Sequence, residues 1–372
     1  MRPEGRLAII GALRVLGFSI ALPFAGLALN LDFREPLTVV SEFYASLAIA
    51  SALGQVAGGY VSDRAGRVRT MFMSGLVASI SLAAAALLWR ATAIEVLLAV
   101  QSFFSNAYSV ASMAIVGDYF SEHSSLVKAY GRLRVGSNLG WALGIAVGGE
   151  LYALVGFRLL LAVTSAVLAA SLAALWGLGE PPRSEPTVAF ERPTSAMMKF
   201  LAPTFMTFII AGLMGYPLVQ YFSGFLRIST SYSGALLAIN GLMVVLLQDA
   251  VARRASTHSP AKSLATGMAI YGLGYGLMPM VNSVPAAALD IMLITLGEMI
   301  VMPVSSAVAA ELSSPRSRGS HMSLYGIANT IGRNLSSAIF AAAAYSLGAS
   351  YGWALMASIA MASSVGYLAV IG

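Results

Sequence analysis

Apolar runs of about twenty residues or more follow one another along the whole chain, near 7–29, 38–60, 70–89, 95–117, 133–155, 158–178, 200–225, 233–253, 263–282, 286–309, 323–346 and 350–371. An α-helix needs about twenty such residues to cross the hydrocarbon of a bilayer, and twelve crossings leave about nine residues per connection, too few for a separate soluble domain. Charged side chains make up 10% of the 372 residues, against about 25% in an ordinary soluble domain, so a water-facing surface could not be clothed. Hydrophobic types fill 58% and the mean hydropathy is +0.79, which also excludes disorder. The net charge of +6 sits in short basic clusters between the runs, as in loops facing anionic lipid; it does not indicate nucleic acid. Cysteine is absent, and with it disulfides, thiolate metal sites and thiol catalysis. The first run is too long for a signal-peptide core and is read as a retained span.

Basic residues orient the spans, because short loops rich in Lys and Arg stay cytoplasmic. Of the 22 Lys and Arg residues, sixteen fall in the connections on one side and four, Arg34, Arg90, Arg158 and Arg227, on the other. Arg14 and Arg333 lie inside runs. Both termini are therefore expected on the cytoplasmic side of the cell (inner or plasma) membrane. The one long connection, rich in Pro and charge, divides the chain into an N-terminal six-helix bundle (1–179), a cytoplasmic linker (180–198) and a C-terminal six-helix bundle (199–372). The halves repeat one another. Tyr130-Gly131 followed by Gly136-Ser137-Asn138-Leu139 returns as Tyr325-Gly326 followed by Gly332-Arg333-Asn334-Leu335, about 195 residues later, and Asp118 has a counterpart in Glu311. The fold predicted is an all-α membrane protein, twelve transmembrane helices in two pseudo-symmetric bundles, such as rocks about a midplane site in secondary transporters.

Between spans 2 and 3 stand Gly59, Asp63, Arg64, Gly66, Arg67 and Arg69, at the spacing G-x-x-x-D-R-x-G-R. Span 5 carries Gly140, Gly144, Gly148 and Gly149, with Ile145 after the second glycine; span 10 carries Gly297-Glu298 and Pro303. On these residues the chain resembles the major facilitator superfamily, and within it the drug:proton antiporters. This chain departs from that group's pattern in carrying Ile145 where the motif has a proline, and Gln101 where span 4 would begin its motif with an arginine.

The spacing also yields roles on physical grounds. Asp63 could accept backbone N–H groups at a neighbouring helix N-terminus, where the helix dipole favours a carboxylate. The loop would then latch the cytoplasmic face, with Asp118, Arg132 and Arg134 as partners; a merely solvated basic loop is the alternative. A degraded counterpart, Asp249, Arg253 and Arg254, stands in the second half. Glycine ladders let helices approach backbone to backbone, so packing is the plain reading of span 5, and antiport is what the resemblance adds. Glu298 and Arg333 fall at similar depth and could pair; alternatively Glu298 faces the cavity and binds a transported proton. Arg14 has no acidic residue at its depth; it could snorkel to the interface or meet an anionic group.

The resemblance implies a cavity lined by spans 1, 4, 7 and 10. Span 4 places Gln101, Ser105, Tyr108 and Ser112 on one face, with Asn106 beside it; the other spans offer Arg14 and Phe18, Tyr216 and Gln220, and Glu298, Met302 and Ser305. Such a wall reads as aromatic, Met-containing and sparsely polar, suited to an amphipathic ligand. His123, His258 and His321 lie far apart, no metal spacing or phosphate-binding loop occurs, and neither cofactor nor metal is expected. The expectation is a monomeric, gradient-driven transporter, not an enzyme, exporting amphipathic small molecules against protons within membrane lipid. Its alternatives are a carrier of small organic anions using Arg14 and Arg333, and a non-transporting receptor or scaffold.

Overall fold

A computed structural model describes residues 3–119, 123–180, 193–313 and 318–371, with side chains outside 3–8, 117, 123–134, 318–321 and 323. Its regular elements are helical: α1 (Pro3–Ala21), α2 (Ala25–Leu31), α3 (Leu37–Ala65), α4 (Arg67–Leu88), α5 (Ala91–Tyr119), α6 (His123–Ser171), α7 (Ser195–Gly212), α8 (Tyr216–Val219), α9 (Thr230–Ala255), α10 (Pro260–Leu277), α11 (Val284–Glu311), α12 (Arg318–Leu347) and α13 (Ala349–Ile371). Nine stretches among the described residues are long and apolar enough to cross a membrane.

The twelve expected runs thus meet eleven helices of eighteen residues or more. Runs 133–155 and 158–178 merge into α6, whose 49 residues would measure about 70 Å if straight, over twice the thickness of a bilayer's hydrocarbon. The element instead turns at Gly156, where φ is 75°, a conformation that glycine adopts without a Cβ penalty. The portion before the turn meets α1 at Gly140, Gly144 and Gly148 and α9 at Gly149; the portion after it meets α1 through Leu168 against Gly17 and α4, where Ser79 Oγ donates to the Ser165 carbonyl at 2.9 Å. Runs 263–282 and 323–346 correspond to α10 and α12, which are too polar to count among the nine.

Local chemistry sets the ends. Thr194, Ser229, Ser259 and Ser283 each accept an N–H three residues on and so cap α7, α9, α10 and α11. At Trp89, Gly156 and Gly348 the backbone turns through positive φ. Arg34 and Arg227 both stand at φ 59°, one just after α2 and the other after the turn that follows α8, at the offset of the sequence repeat.

Two breaks matter most. α1 is interrupted by a 3-10 turn at Leu22–Phe24, where Pro23 cannot supply the N–H that would continue the helix. α7 stops at Gly212, and after Gly215 the chain resumes as α8 and a π-turn, Gln220–Phe225. The first helix of each repeat is therefore discontinuous.

α1 to α6 pack among themselves and α7 to α13 among themselves; α6 against α9 and α3 against α12 join the two groups. The joining contacts gather at the end where α2 and α8 lie. Gln220 Nε2 donates to Asn30 Oδ1 at 2.9 Å, Ser41 Oγ to the Ala338 carbonyl at 2.8 Å, and Tyr44 stacks on Tyr216 at 4.5 Å between centroids. Gly149 and Gly234 face one another so closely that neither could carry a Cβ without displacing backbone.

Candidate functional site

Between the two groups lies a cavity of about 620 Å³. Its wall includes both helix breaks: Leu22, Pro23 and Ala25 on one side, Ala211, Gly212, Met214 and Gly215 on the other. Unwound backbone in a membrane is tolerated where it borders a cavity, and paired breaks at corresponding positions of two repeats mark binding sites in transporters. Arg14, Phe18, Ser105, Asn106, Tyr216, Glu298 and Arg333, all anticipated, share this wall.

Three quarters of the wall was not foreseen, and it changes the character of the site. Asn138, Asn240, Asn329 and Asn334 join Asn106; Ser51, Ser102, Ser137, Ser337 and Thr330 join Ser105. The sparsely polar wall is corrected to a ring of amides and hydroxyls interleaved with Phe18, Phe43, Tyr44, Trp141 and Tyr216. Apart from Ser102 of α5, the additions come from α3, α6, α9 and α12, helices the expected cavity set omits. Two signals in the sequence point to them. Asn329, Thr330, Arg333, Asn334 and Ser337 form an i, i+1, i+4, i+5, i+8 stripe on one face of α12. The internal repeat itself, Ser137-Asn138 and Arg333-Asn334, lies on the wall from both sides.

The ionised groups divide by partner. Arg333 donates from Nε to Asn329 Oδ1 and from one terminal nitrogen to the Ala211 carbonyl, both at 2.9 Å. Ala211 is in the last turn of the interrupted α7, where freed carbonyls favour a cation. The other nitrogen lies 3.8 Å from Glu298 Oε1 and 3.7 Å from the Met302 sulfur. Glu298 Oε2 accepts from Asn240 Nδ2 at 2.7 Å, and the same amide reaches Thr295 Oγ1 at 3.2 Å. Glu298 therefore both faces the cavity and pairs loosely with Arg333. Arg14 has no carboxylate partner among the described residues; its electrostatic neighbour is Tyr108.

The remaining expected residues stand off the wall. Gln101 is fully buried with both amide ends unpaired, and Tyr108 is buried against Ile10, Met71 and Leu172. Ser112 donates to the Ser109 carbonyl of its own helix at 2.8 Å. Gln220 bridges to Asn30; Ser305 exchanges a 2.7 Å hydrogen bond with the Tyr325 hydroxyl.

At the loop between α3 and α4 the tight turn is shorter than the motif, because α3 keeps Gly59, Asp63 and Arg64 helical and Gly66 alone, at φ 108°, reverses the chain. Asp63 pairs with Arg67, which also binds Asp118 at 2.9 Å and donates to Ser62 Oγ at 2.8 Å. The carboxylate at the N-terminus of α4 is Glu180, accepting from Val68 N at 3.1 Å and Arg69 N at 2.8 Å, so Asp63 does not serve there. Arg64 lies over the Tyr60 ring, 3.5 Å from its centroid. Arg132 and Arg134 fall outside the described side chains. In α6, Gly140, Gly144 and Gly148 meet α1 at Ala12, Leu16, Ser19 and Ile20, within one group; Gly149 meets α9 in the other.

Helices of membrane-spanning length around a solute-sized polar cavity, broken where they border it, define a multi-pass membrane carrier. The sequence pattern of the Major Facilitator Superfamily matches residues 7–333, and the chain belongs to that superfamily. It is similar to the MFS-type transporter YttB of Bacillus subtilis (strain 168), 23% identical over 339 residues, 88% of this chain and 85% of that protein. YqjV of the same organism, also an MFS-type transporter, is 23% identical over 350 residues, 84% of this chain and 80% of its own. Among solved structures, a POT family transporter in complex with a thioalcohol-conjugated peptide superposes with a TM-score of 0.82 at 13% identity, covering 99% of this chain and 96% of that one. The nucleoside transporter NupG gives 0.77 at 14%, covering 100% and 99%. At those identities the likeness is one of fold. The chain is a membrane transport protein for small molecules and not an enzyme.

Proposed function

We propose that this chain is a twelve-span, proton-coupled secondary transporter that exports amphipathic small molecules by alternating access between an N-terminal (1–179) and a C-terminal (199–372) bundle. The observation that carries the reading is Glu298, a carboxyl on the cavity wall held by a neutral amide, Asn240, and only loosely by Arg333. A carboxyl so placed can exchange a proton with the cavity without stranding its neighbours, since Arg333 keeps Asn329 and the Ala211 carbonyl. The wall, half polar and half apolar with five aromatic rings, suits a solute that has both characters. Both termini would be cytoplasmic in the cell membrane, with the contacts between bundles closing the outer end in this conformation.

Glu298→Gln in proteoliposomes is the test. Proton-driven accumulation should vanish while substrate binding and substrate-for-substrate exchange persist. The stability lost, read from the melting temperature, should be far below the roughly 3–5 kcal/mol that follows when a buried ion pair is broken. A variant that still accumulates substrate on a proton gradient would remove Glu298 from the mechanism.

One observation favours a second reading, a carrier of small organic anions. Arg14 brings to the cavity a cation that no described carboxylate neutralises, and Ser105 and Asn106 stand on the same wall. Uptake of organic acids that is lost in Arg14→Gln, with Glu298→Gln unaffected, would decide for it.

A further inference from the structure

A second cavity lies away from the first, within the N-terminal group. It is a groove of about 560 Å³ between the first two turns of α4 and the 3-10 turn, Leu172–Leu175, that follows α6. Phe72 and Met73 of α4 and Leu172 and Leu175 of the turn give it an apolar floor. Leu172 packs so closely on Gly75 that a Cβ there would strike it, and Gly177, at φ 70°, turns the chain away beyond Trp176. The rim carries Arg69 and Trp176, and the indole is left 85% exposed.

The side on which the groove opens limits what can fill it. Met73, Ile80 and Leu87 recur at seven-residue intervals along α4 and are all exposed, so the groove continues a stripe that faces hydrocarbon. At 1.5 Å per residue Met73 stands about 9 Å deeper than Arg67, where α4 begins. Arg69 and Trp176 are thus at headgroup level, where such side chains anchor spans, and the floor is at the level of the acyl chains. The linker that starts at Glu180 is a poor occupant, because a peptide laid in the groove would carry backbone N–H and C=O groups into hydrocarbon without partners.

The rim also has charge to offer. In the same loop Arg67 is spent on Asp63 and Asp118, and Arg64 lies over the Tyr60 ring. Among the described residues no carboxylate pairs with the Arg69 guanidinium. Glu180 accepts from the backbone N–H groups of Val68 and Arg69, which satisfies the start of α4 and leaves the Arg69 side chain as the cation on the groove.

We propose that this groove binds one anionic phospholipid, with its phosphate on the Arg69 guanidinium, its glycerol beside Trp176 and one acyl chain along Phe72, Met73 and Leu175. On the orientation proposed above, the lipid belongs to the cytoplasmic leaflet. Arg69 is two residues from Arg67, so an occupied groove steadies the start of α4 on which the Asp63–Arg67–Asp118 contacts depend. The site is independent of Glu298 and of the coupling ion, and its test reads neither.

The purified full chain in detergent, mixed with phosphatidylglycerol, phosphatidylcholine or inorganic phosphate, provides that test. Phosphatidylglycerol should raise the melting temperature saturably, as a ligand of the folded state does, and the other two should barely move it. Native mass spectrometry should count one tightly held phosphatidylglycerol. Its affinity should fall about fivefold in Arg69→Gln, the contribution of one arginine at an anionic membrane surface. Binding should be lost in Met73→Trp, which fills the groove and keeps the charge, and which serves alone if Arg69→Gln does not fold. A benzophenone side chain placed at position 73 should label lipid and not residues 181–192. Equal stabilisation by phosphatidylcholine would leave ordinary boundary lipid, and an equal effect of inorganic phosphate would leave an anion site without a lipid. Either result, crosslinking to the linker, or phosphatidylglycerol binding unchanged in Met73→Trp would overturn the proposal.

Discussion

At the scale of single residues, the two intramembrane arginines illustrate how partners separate structural from functional cost. Arg333 is tied into the broken end of α7, so Arg333→Met should destabilise the fold by on the order of 1–3 kcal/mol through the unsatisfied Ala211 carbonyl, read as a lower melting temperature. Arg14 has no such ties, and Arg14→Met should raise the melting temperature. The ceiling is about 2.5–3.5 kcal/mol, the cost of an arginine at a helix centre on insertion scales, less what cavity hydration returns. Transport should fall in the same variant, and a protein neither more stable nor less active would mean that Arg14 snorkels. Asp63 offers a milder contrast. Its side chain is 55% exposed and Arg67 retains Asp118 and Ser62, so Asp63→Asn should change stability by less than about 0.5 kcal/mol. Flux in proteoliposomes should nevertheless drop several-fold if the pair latches the loop; unchanged flux would leave a loop that only orients the chain.

At the scale of elements, the glycines of α6 divide by the face they occupy. Gly144→Leu pushes on Ser19 and Leu16 of α1 inside one group and should cost about 1–3 kcal/mol of melting stability, as overpacked contacts do. Gly149→Leu pushes on Gly234 across the two groups, so its expected effect is a shift in spin-label distances between bundles with a smaller change in melting. Equal effects of the two substitutions would deny α9 a bearing surface. Helix existence was legible because apolar runs and basic loops are dictated by the bilayer. The turn at Gly156 falls between the runs 133–155 and 158–178, which the sequence separates there, with Arg158 as the first polar residue after it. About a quarter of the cavity wall was legible. Charges inside apolar runs announce themselves, but Asn and Ser look alike whether they glue helices or face a solute. The breaks at Pro23 and at Gly212 to Gly215 would have pointed to the site, had they been compared between halves.

At the scale of the whole molecule, the lack of cysteine makes one experiment clean. Cysteines placed by Asn30→Cys and Gln220→Cys, facing one another across the groups where the native side chains hydrogen-bond, should crosslink under mild oxidation, stop transport, and release it on reduction. Transport that continues in the crosslinked protein would mean that this end does not open in the cycle. The modest hold at that end has a consequence for how the carrier spends its time. If the α6–α9 and α3–α12 packing is common to both forms, two hydrogen bonds and a ring stack, at roughly 1 kcal/mol net each, total about 3 kcal/mol, which would leave on the order of one molecule in a hundred parted there at any moment. A solute that binds the parted form about a hundredfold more tightly would be enough to bring the two populations level. On the proposed cycle, such a protein would sample both faces of the membrane without its cargo, and the cargo's work would be to change the odds.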